Sequence, residues 1–201
     1  TVTRITILLL FCIAAALLLG CSEKTKTSPP TNTTPEPVYA VIVTGGHDFE
    51  KEAFLEMFAA LENIEFVHAP QQDASELFED ISDWPYDVIV LYNMTQKISP
   101  RRRKNLLRLL EEGTGLLALH HSIAAFQDWP RYTRIIGGKY YLQKTVEGGI
   151  THPASSYKHD VTFTVRVKNK THPITRGLSD FVIHDETYRN YRRQPDNNVL
   201  L

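Results

Sequence analysis

The chain has 201 residues, of which 42% are hydrophobic and 22% charged, and its formal net charge is −1 at pH 7. This composition is typical of a single globular domain that is long enough to bury a core. A chain so close to neutrality lacks the basic surface that captures nucleic acid, so we predict no nucleic-acid partner.

Residues 1–20 differ from the rest and resemble an export signal. Arg4 precedes a largely apolar run over residues 5–19, and Gly20 and Cys21 follow it. A run of ~15 residues is short for a membrane span, which needs roughly 20, and suits a secretory signal. The segment LLGC, which ends at Cys21, resembles a bacterial lipobox, in which the cysteine is acylated. The alternative is an ordinary signal peptide with a chance cysteine.

The cysteines and the linker extend this interpretation. Cys12 would be removed with the signal and Cys21 would carry the lipid, so the folded part would hold no thiol for a disulfide, a zinc site or a nucleophile. Residues 21–37 are rich in Ser, Thr, Pro and Lys, which predicts a disordered tether. We expect the domain over 38–201 to be lipid-anchored on the periplasmic side of a bacterial envelope or at the cell surface. An aspartate after the lipidated cysteine often signals retention in the inner membrane. This position is Ser22, which favours the outer membrane as the location of the anchor.

Strands and helices alternate along the first part of the domain. The predicted strands are VYAVIVTGG from Val38, IEFVHAP from Ile64, YDVIVLYN from Tyr86 and GLLALHH from Gly115. Apolar residues at three-to-four spacing predict a helix over 50–62. Ser99 and Pro100 predict the start of a second helix, which Gly113 ends.

This alternation with short loops predicts an α/β fold, a flavodoxin-like three-layer sandwich with a mainly parallel sheet. After Trp129 the pattern changes, and DVTFTVRV from Asp160 and FVIHDETY from Phe181 predict further strands. The final residues NNVLL resemble a strand that has just begun. We therefore expect the chain to be truncated at its C-terminus.

Polar, ligand-capable residues follow three of the predicted strands. They are Gly45-Gly46-His47-Asp48, Asn93-Met94-Thr95 and His120-His121-Ser122. Ligands of open parallel sheets bind beyond the carboxyl ends of the strands, so we predict a functional site at this edge. Strand alternation would send one of His120 and His121 inward and the other outward, leaving one with a structural role. His47 could enter the cleft or merely cap the next helix.

Two further clusters invite alternative interpretations. HDETYRNYRR over 184–193 combines a histidine with carboxylates that could orient a base or hold a metal, and the alternative is a solvated loop. The basic run over 101–104 is expected to be an exposed face rather than an anion site. His159 and Asp160 could form only a local pair. TGGHDFEKE lacks the spacing of a phosphate-binding loop, which argues against nucleotide binding.

Together these motifs resemble the ThuA-like, or trehalose-utilisation, family over residues 41–199. The resemblance depends on VTGGHDF, GTGLLALHHSIAAFQDWPRYTRIIGGKY, THPITRGL and IHDETYRN in this order. It implies a variant of the class I glutamine amidotransferase fold, in which the turn after the fourth strand holds a nucleophilic cysteine. His120 occupies that region here, and an imidazole cannot form the glutamyl thioester, so amidotransferase activity is not expected.

The resemblance also implies carbohydrate utilisation, with a glycoside or a keto-sugar as the small-molecule partner. The expected catalytic residues are His120, Asp185, Glu186 and Tyr188. The expected substrate-binding residues are Asn93, His121, Trp129 and His172. His120 would act as a base with a carboxylate partner, or His47 and His120 would hold a divalent metal such as zinc as a Lewis acid. The segment YLQKTVEGGITHP over 141–153 departs from the short version that is usual in the family, so no role is carried over to His152.

A non-catalytic carbohydrate-binding lipoprotein is the second hypothesis. The polar edge would then supply hydrogen bonds, and aromatic side chains would stack on sugar rings. The candidates for stacking are Trp129, Tyr140, Tyr141, Tyr188 and Tyr191. The same aromatic residues could instead belong to the core.

Overall fold

The computed structural model describes residues 36–72 and 74–201. The predicted signal, Cys21 and most of the tether lie outside the described residues, so their predictions stay predictions. Every helix in the described part is too short or too polar to cross a membrane.

A four-stranded parallel sheet forms the centre of the domain, in the order β2-β1-β3-β4. Its strands are β1 (Val38–Gly45), β2 (Ile64–Pro70), β3 (Val88–Asn93) and β4 (Gly115–Ala118). The first strand lies inside the sheet, with Ala40 opposite Phe66 on one side and Val88 on the other. This order confirms the predicted flavodoxin-like topology.

Helices cover both faces of this sheet. They are α1 (Lys51–Ala59), α2 (Pro100–Glu111) and α3 (Pro130–Ile135), with 3₁₀ turns at Glu76–Phe78 and His120–Ala124. Successive β1 side chains alternate between two buried clusters: Ile42 packs with Phe58 of α1, while Val41 and Val43 pack with Leu106 of α2. Such alternation gives the predicted three layers. As the sequence predicts, Ser99 caps α2, its Oγ accepting the N–H of Arg102 at 3.3 Å.

Short antiparallel pairs complete the domain. They are β5 (Gly138–Lys139) with β10 (Arg192–Arg193), β6 (Thr145–Glu147) with β7 (Ile150–His152), and β8 (Ser156–Val165) with β9 (Phe181–Arg189). The NNVLL segment does not form the expected strand, and the Leu200 carbonyl instead accepts the N–H of Lys168 at 2.8 Å. The pair of β8 and β9 forms a hairpin that carries residues of the candidate functional site.

The basic run at the start of α2 is only partly the exposed face that we expected, because Arg101 and Lys104 are exposed whereas Arg102 and Arg103 are half-buried. Arg101 and Arg102 both pair with Glu79, at 3.3 and 2.5 Å. The guanidinium of Arg103 lies 5.5 Å from the centre of the Trp129 ring. These cations are neutralised or stacked within the domain, so they attach α2 to the neighbouring loop and helix.

Two glycines allow the chain to turn sharply after β1. Gly45 has φ +140° and Gly46 has φ +75°, both in the region that favours glycine. A Cβ on Gly46 would lie 2.7 Å from the Met94 carbonyl carbon and from the Thr95 nitrogen. The loop after β1 therefore packs backbone to backbone against the end of β3, which places His47 at that edge of the sheet.

We expect Gly46→Ala to destabilise the domain by about 3 kcal/mol, because it adds both a left-handed alanine and a backbone clash. Gly149→Ala is the matched control: its φ is +79° but no atom lies within 4 Å of the added Cβ. This control should lower the free energy of unfolding by about 1 kcal/mol, because it places an alanine in the left-handed region without a clash. Urea unfolding of both variants measures the difference, and equal losses would contradict the close packing.

Candidate functional site

A strained turn carries the first half of the site. Strand β4 ends at Ala118 and a 3₁₀ turn begins at His120, whose φ is +44°. A non-glycine residue in this region is uncommon and needs surrounding contacts to hold it. Buried Ser122 provides them: its Oγ donates to the Leu91 carbonyl at 2.7 Å and accepts the N–H of Asn93 at 3.3 Å. The turn is thus attached to the end of β3.

Three imidazoles meet above that turn. The rings of His47 and His121 are stacked with centroids 3.7 Å apart, and those of His120 and His121 are 4.1 Å apart. Tyr92 lies beside both, its ring centre 6.0 Å from that of His120 and 5.3 Å from that of His121. Both adjacent histidines line the same cavity, so the expectation that one turns inward is wrong. Strand β4 ends at Ala118, before the two histidines, so the alternation of side chains along a strand does not apply to them.

Strand β9 supplies the second half of the site. The Tyr188 hydroxyl lies 3.1 Å from Nδ1 and 3.2 Å from Nε2 of His120. The same hydroxyl donates to Oε2 of Glu186, which is 3.9 Å from Nε2 of His120. Three residues that the sequence analysis assigned as catalytic, from distant parts of the chain, are therefore in contact.

His159 joins this group, although the sequence alone indicates nothing more than a local pair with Asp160. Its Nδ1 lies 2.5 Å from Oε1 of Glu186. Asp160 instead lies 3.7 Å from the ring of His184, on an exposed part of the same hairpin. The sequence offers one signal for this contact, because each strand of the hairpin carries a His-Asp pair, at 159–160 and at 184–185. The sequence alone does not give the register in which the two strands pair.

Two cavities meet at these contacts. One, of about 310 Å³, is lined by His47, Met94, His120, His121, Ile123, Ala124, Tyr140, Leu142, Tyr157, His159, Glu186 and Tyr188. The other, of about 540 Å³, is lined by Ala118, His120, Ile123, Ile136, Tyr140, Phe163, Glu186, Thr187, Tyr188 and Tyr191. The first is rich in imidazole and the second in aromatic rings. His120, Glu186 and Tyr188 line both, so they lie where the two spaces join.

Two predicted substrate-binding residues are buried, which corrects their assignment. Asn93 is 1% exposed and lies at the buried end of β3, where its Oδ1 is 3.4 Å from Ser122 Oγ. Trp129 is 6% exposed and packs against Phe126 and Tyr132 in the core. Neither side chain lines either cavity.

His172 and Asp185 also lie outside both cavities. His172 closes a local turn, its Nδ1 accepting the N–H of Ile174 at 3.3 Å. Asp185 precedes Glu186 on β9, and neighbouring residues of a strand face opposite sides. Its Oδ1 accepts the N–H of Glu186 at 2.7 Å. Of the two candidate carboxylates, the structure brings Glu186 to the site.

The imidazoles do not form a zinc site in this arrangement. Among residues 36–72 and 74–201, no group of three or more His, Cys, Asp or Glu side chains could hold a metal ion. The Nδ1 atom of His47 lies 2.5 Å from the Asp48 carbonyl oxygen, and its ring stacks face to face on His121. Stacked rings do not direct their nitrogens to one point, as a tetrahedral ion requires. The predicted metal role of His47 and His120 therefore does not fit this arrangement.

Burial sets the protonation of two groups in the site. Burial, together with the neighbouring rings of His120 and His47, lowers the pKa of His121 from 6.5 to about 4. Burial and the hydrogen bond to Glu186 raise the pKa of the Tyr188 phenol above its ordinary value of 10. Near pH 7 the His121 ring is therefore neutral and Tyr188 keeps the proton that it donates.

The low pKa of His121 predicts a pH-dependent stability. Between pH 6.5 and about 4 the unfolded chain protonates this ring while the folded chain does not. The contribution of the neutral His121 ring to the free energy of unfolding is fully present above pH 6.5 and is lost as the pH falls toward 4. After discounting for solvent screening, we expect His121→Gln to reduce the loss of stability between pH 7.5 and 5 by on the order of 1 kcal/mol.

Denaturant unfolding at the two pH values measures this difference, and an NMR titration of the ring reads its pKa directly. Equal pH dependence in the two proteins, or a ring that titrates near 6.5, would contradict the burial described above.

Comparisons with known proteins agree with this architecture. The sequence model of the family described as ThuA, trehalose utilisation, matches residues 39–201. No curated protein sequence matches the chain.

Two crystal structures resemble the fold. A ThuA-like protein from Parabacteroides merdae ATCC 43184 is 22% identical, with a TM-score of 0.62 over 81% of this chain and 66% of that one. A ThuA-like protein from Bacteroides uniformis ATCC 8492 is 21% identical, with a TM-score of 0.53 over 80% of this chain and 64% of that one. The chain thus spans less than two thirds of either protein, and at this identity both show the fold alone. Because the family model covers nearly all of the described domain, the chain belongs to the ThuA family of trehalose utilisation.

Proposed function

We propose that this ThuA-family domain transfers protons on a glycoside or keto-sugar, with His120 as the base. One observation carries the proposal: the Glu186 carboxylate faces His120 across the Tyr188 hydroxyl, at the junction of the two cavities. An imidazole with a carboxylate partner can move a proton in the neutral pH range.

The hydrogen bonds define where the protons lie. Tyr188 has one hydroxyl proton, which it donates to Oε2 of Glu186. Its oxygen can then accept from His120, because either ring nitrogen is within 3.2 Å. One nitrogen of a neutral His120 donates to Tyr188, and the other keeps its lone pair. That lone pair is the base.

The step that suits this base is removal of a proton from a carbon next to a ketone. The C–H bond breaks, its electron pair forms the enolate double bond, and the proton moves to His120. The resulting imidazolium is balanced by the Glu186 carboxylate, 3.9 Å from Nε2. The imidazolium then returns its proton. In isomerisation the enolate oxygen takes it to give an enediol, which loses the proton of its other hydroxyl and is protonated on the former ketone carbon. In elimination the enolate expels the substituent on the next carbon with its electron pair, and that leaving group takes the proton.

The aromatic lining supports a sugar ligand. Tyr140, Tyr188 and Tyr191 line the larger cavity, where their rings could stack on a pyranose. Trp129 and Tyr141 are 6% and 1% exposed and belong to the core, so two of the five stacking candidates are removed. A non-catalytic sugar-binding role would use the same surfaces, and the next experiment separates the two.

In D₂O with a 3-keto-glucoside, we expect the protein to catalyse deuterium incorporation next to the ketone, and NMR of the substrate measures it. Glu186→Gln should slow this exchange on the order of 10²-fold, because the amide cannot balance the imidazolium. Asp160→Asn is the matched control: it also neutralises a carboxylate of the hairpin, it is 91% exposed, and asparagine tolerates its φ of +56°.

The control should exchange within threefold of the wild type. A wild-type protein that binds the keto-glucoside by calorimetry but incorporates no deuterium would overturn the enzyme proposal in favour of the binding role.

The location of this activity is a separate proposal. An apolar run over 5–19 followed by Gly20 and Cys21 supports lipid anchoring outside the cytoplasm, with 21–37 as a spacer. The outer membrane is preferred because Ser22 follows the cysteine.

Cys21→Ser should therefore move the protein, expressed in a Gram-negative host, from the detergent phase to the aqueous phase in Triton X-114 partitioning. Removing the proposed acylation site removes the proposed lipid anchor. Cys12→Ser is the matched control and should partition like the wild type. If both variants stay in the detergent phase, Cys21 does not carry the anchor.

A further inference from the structure

The hairpin of β8 and β9 contains a bulge beside the site. Its register pairs Lys158 with Thr187 and then Val161 with Asp185. Two residues of β8, His159 and Asp160, therefore face the single residue Glu186. Asp160 absorbs the extra length with φ +56°. Bulges of this kind redirect side chains and are enriched next to active sites.

The bulge separates its two side chains. Asp160 turns to an exposed position near His184, while the His159 ring lies against Glu186 with Tyr157 packed edge-on, centroids 4.9 Å apart. His159 and Tyr157 both line the smaller cavity, and Asp160 does not.

His159 completes the bonding of the carboxylate. Oε2 of Glu186 accepts the Tyr188 hydroxyl, and Oε1 lies 2.5 Å from Nδ1 of His159. The two contacts hold the carboxylate from opposite oxygens, which fixes its rotation about the last side-chain bond. A carboxylate held at one oxygen alone could rotate away from the His120 ring, which lies 3.9 Å from Oε2.

We infer that His159 is a positioning residue, whose Nδ1–H holds Glu186 in the orientation that faces His120. This inference rests on the proposed function, since the orientation matters for the proton transfer assigned to His120. His159 does not need to touch the reacting carbon. What the site requires from it is one hydrogen-bond donor at the place of Nδ1.

The substitutions His159→Ala and His159→Asn test this requirement. Alanine removes the donor, whereas the asparagine amide can place an N–H close to the position of Nδ1. In the deuterium-exchange assay, His159→Ala should lower kcat about tenfold to hundredfold with KM changed less than threefold. His159→Asn should recover most of that loss. His184→Ala, which truncates an exposed histidine of the same hairpin, should match the wild type.

Equal losses for the alanine and asparagine variants would overturn the inference, because a donor alone would then not suffice. A fall in kcat for His184→Ala would also overturn it, since the effect would belong to the hairpin in general.

A second measurement does not depend on turnover. Long-range ¹H–¹⁵N spectra at pH 8 should show a proton on Nδ1 of His159 in the wild type. A ring protonated at Nε2 alone would overturn the inference even if the enzyme is active. A wild type without exchange activity but with Nδ1 protonated would overturn the proposed function and support the contact between His159 and Glu186.

Discussion

The Glu186 carboxylate is the group on which the geometry of the site depends. It comes from a peripheral hairpin, yet its partners His120 and Tyr188 connect it to the turn that follows the central sheet. Its side chain is 23% exposed, and a charge withdrawn from water is costly unless hydrogen-bond donors replace the water. Tyr188 and His159 are such donors. The contacts that stabilise the charge thus also dock the hairpin against the end of β4, so the cavities exist only when both parts are in place.

The opposite wall of the site stores backbone strain. His120 is left-handed at φ +44°, which costs of the order of 1–3 kcal/mol where nothing compensates it. Ser122, fully buried two residues later, bonds to the end of β3 through both its donor and its acceptor capacity. At the neighbouring strand, Gly46 lets its loop approach the same β3 backbone closely. The edge of the sheet is therefore rigid where it presents imidazoles, and its order comes from buried backbone contacts rather than from the histidines themselves.

The sequence predicted the layers of this domain well and the interior of its site less well. Runs rich in apolar residues and the Ser99 cap are local signals, and they predict β1 to β3 and α2 within a few residues. Period-two alternation was extended past Ala118, where the chain already turns, and this misassigned the orientation of one of the two adjacent histidines. Asn93 and Trp129 have side chains suited to binding a sugar, and Asn93 lies at the carboxyl end of β3. Both are buried by contacts with residues that are distant in sequence, which the local sequence does not reveal. His159 could not be predicted because a bulge in the hairpin register, not a motif, brings it to Glu186.

The electrostatics of the smaller cavity favour an uncharged ligand. The rings of His47 and His120 both lower the pKa of His121, so placing a proton on one member of this stack makes a second proton less favourable. The low pKa of His121 therefore limits the positive charge that this stack offers to a phosphate or a carboxylate. The neutral ring of His121 and the protonated Tyr188 instead offer single hydrogen-bond donors and acceptors. A polyhydroxylated sugar presents the complementary groups without a charge, which agrees with the sugar ligand that we propose.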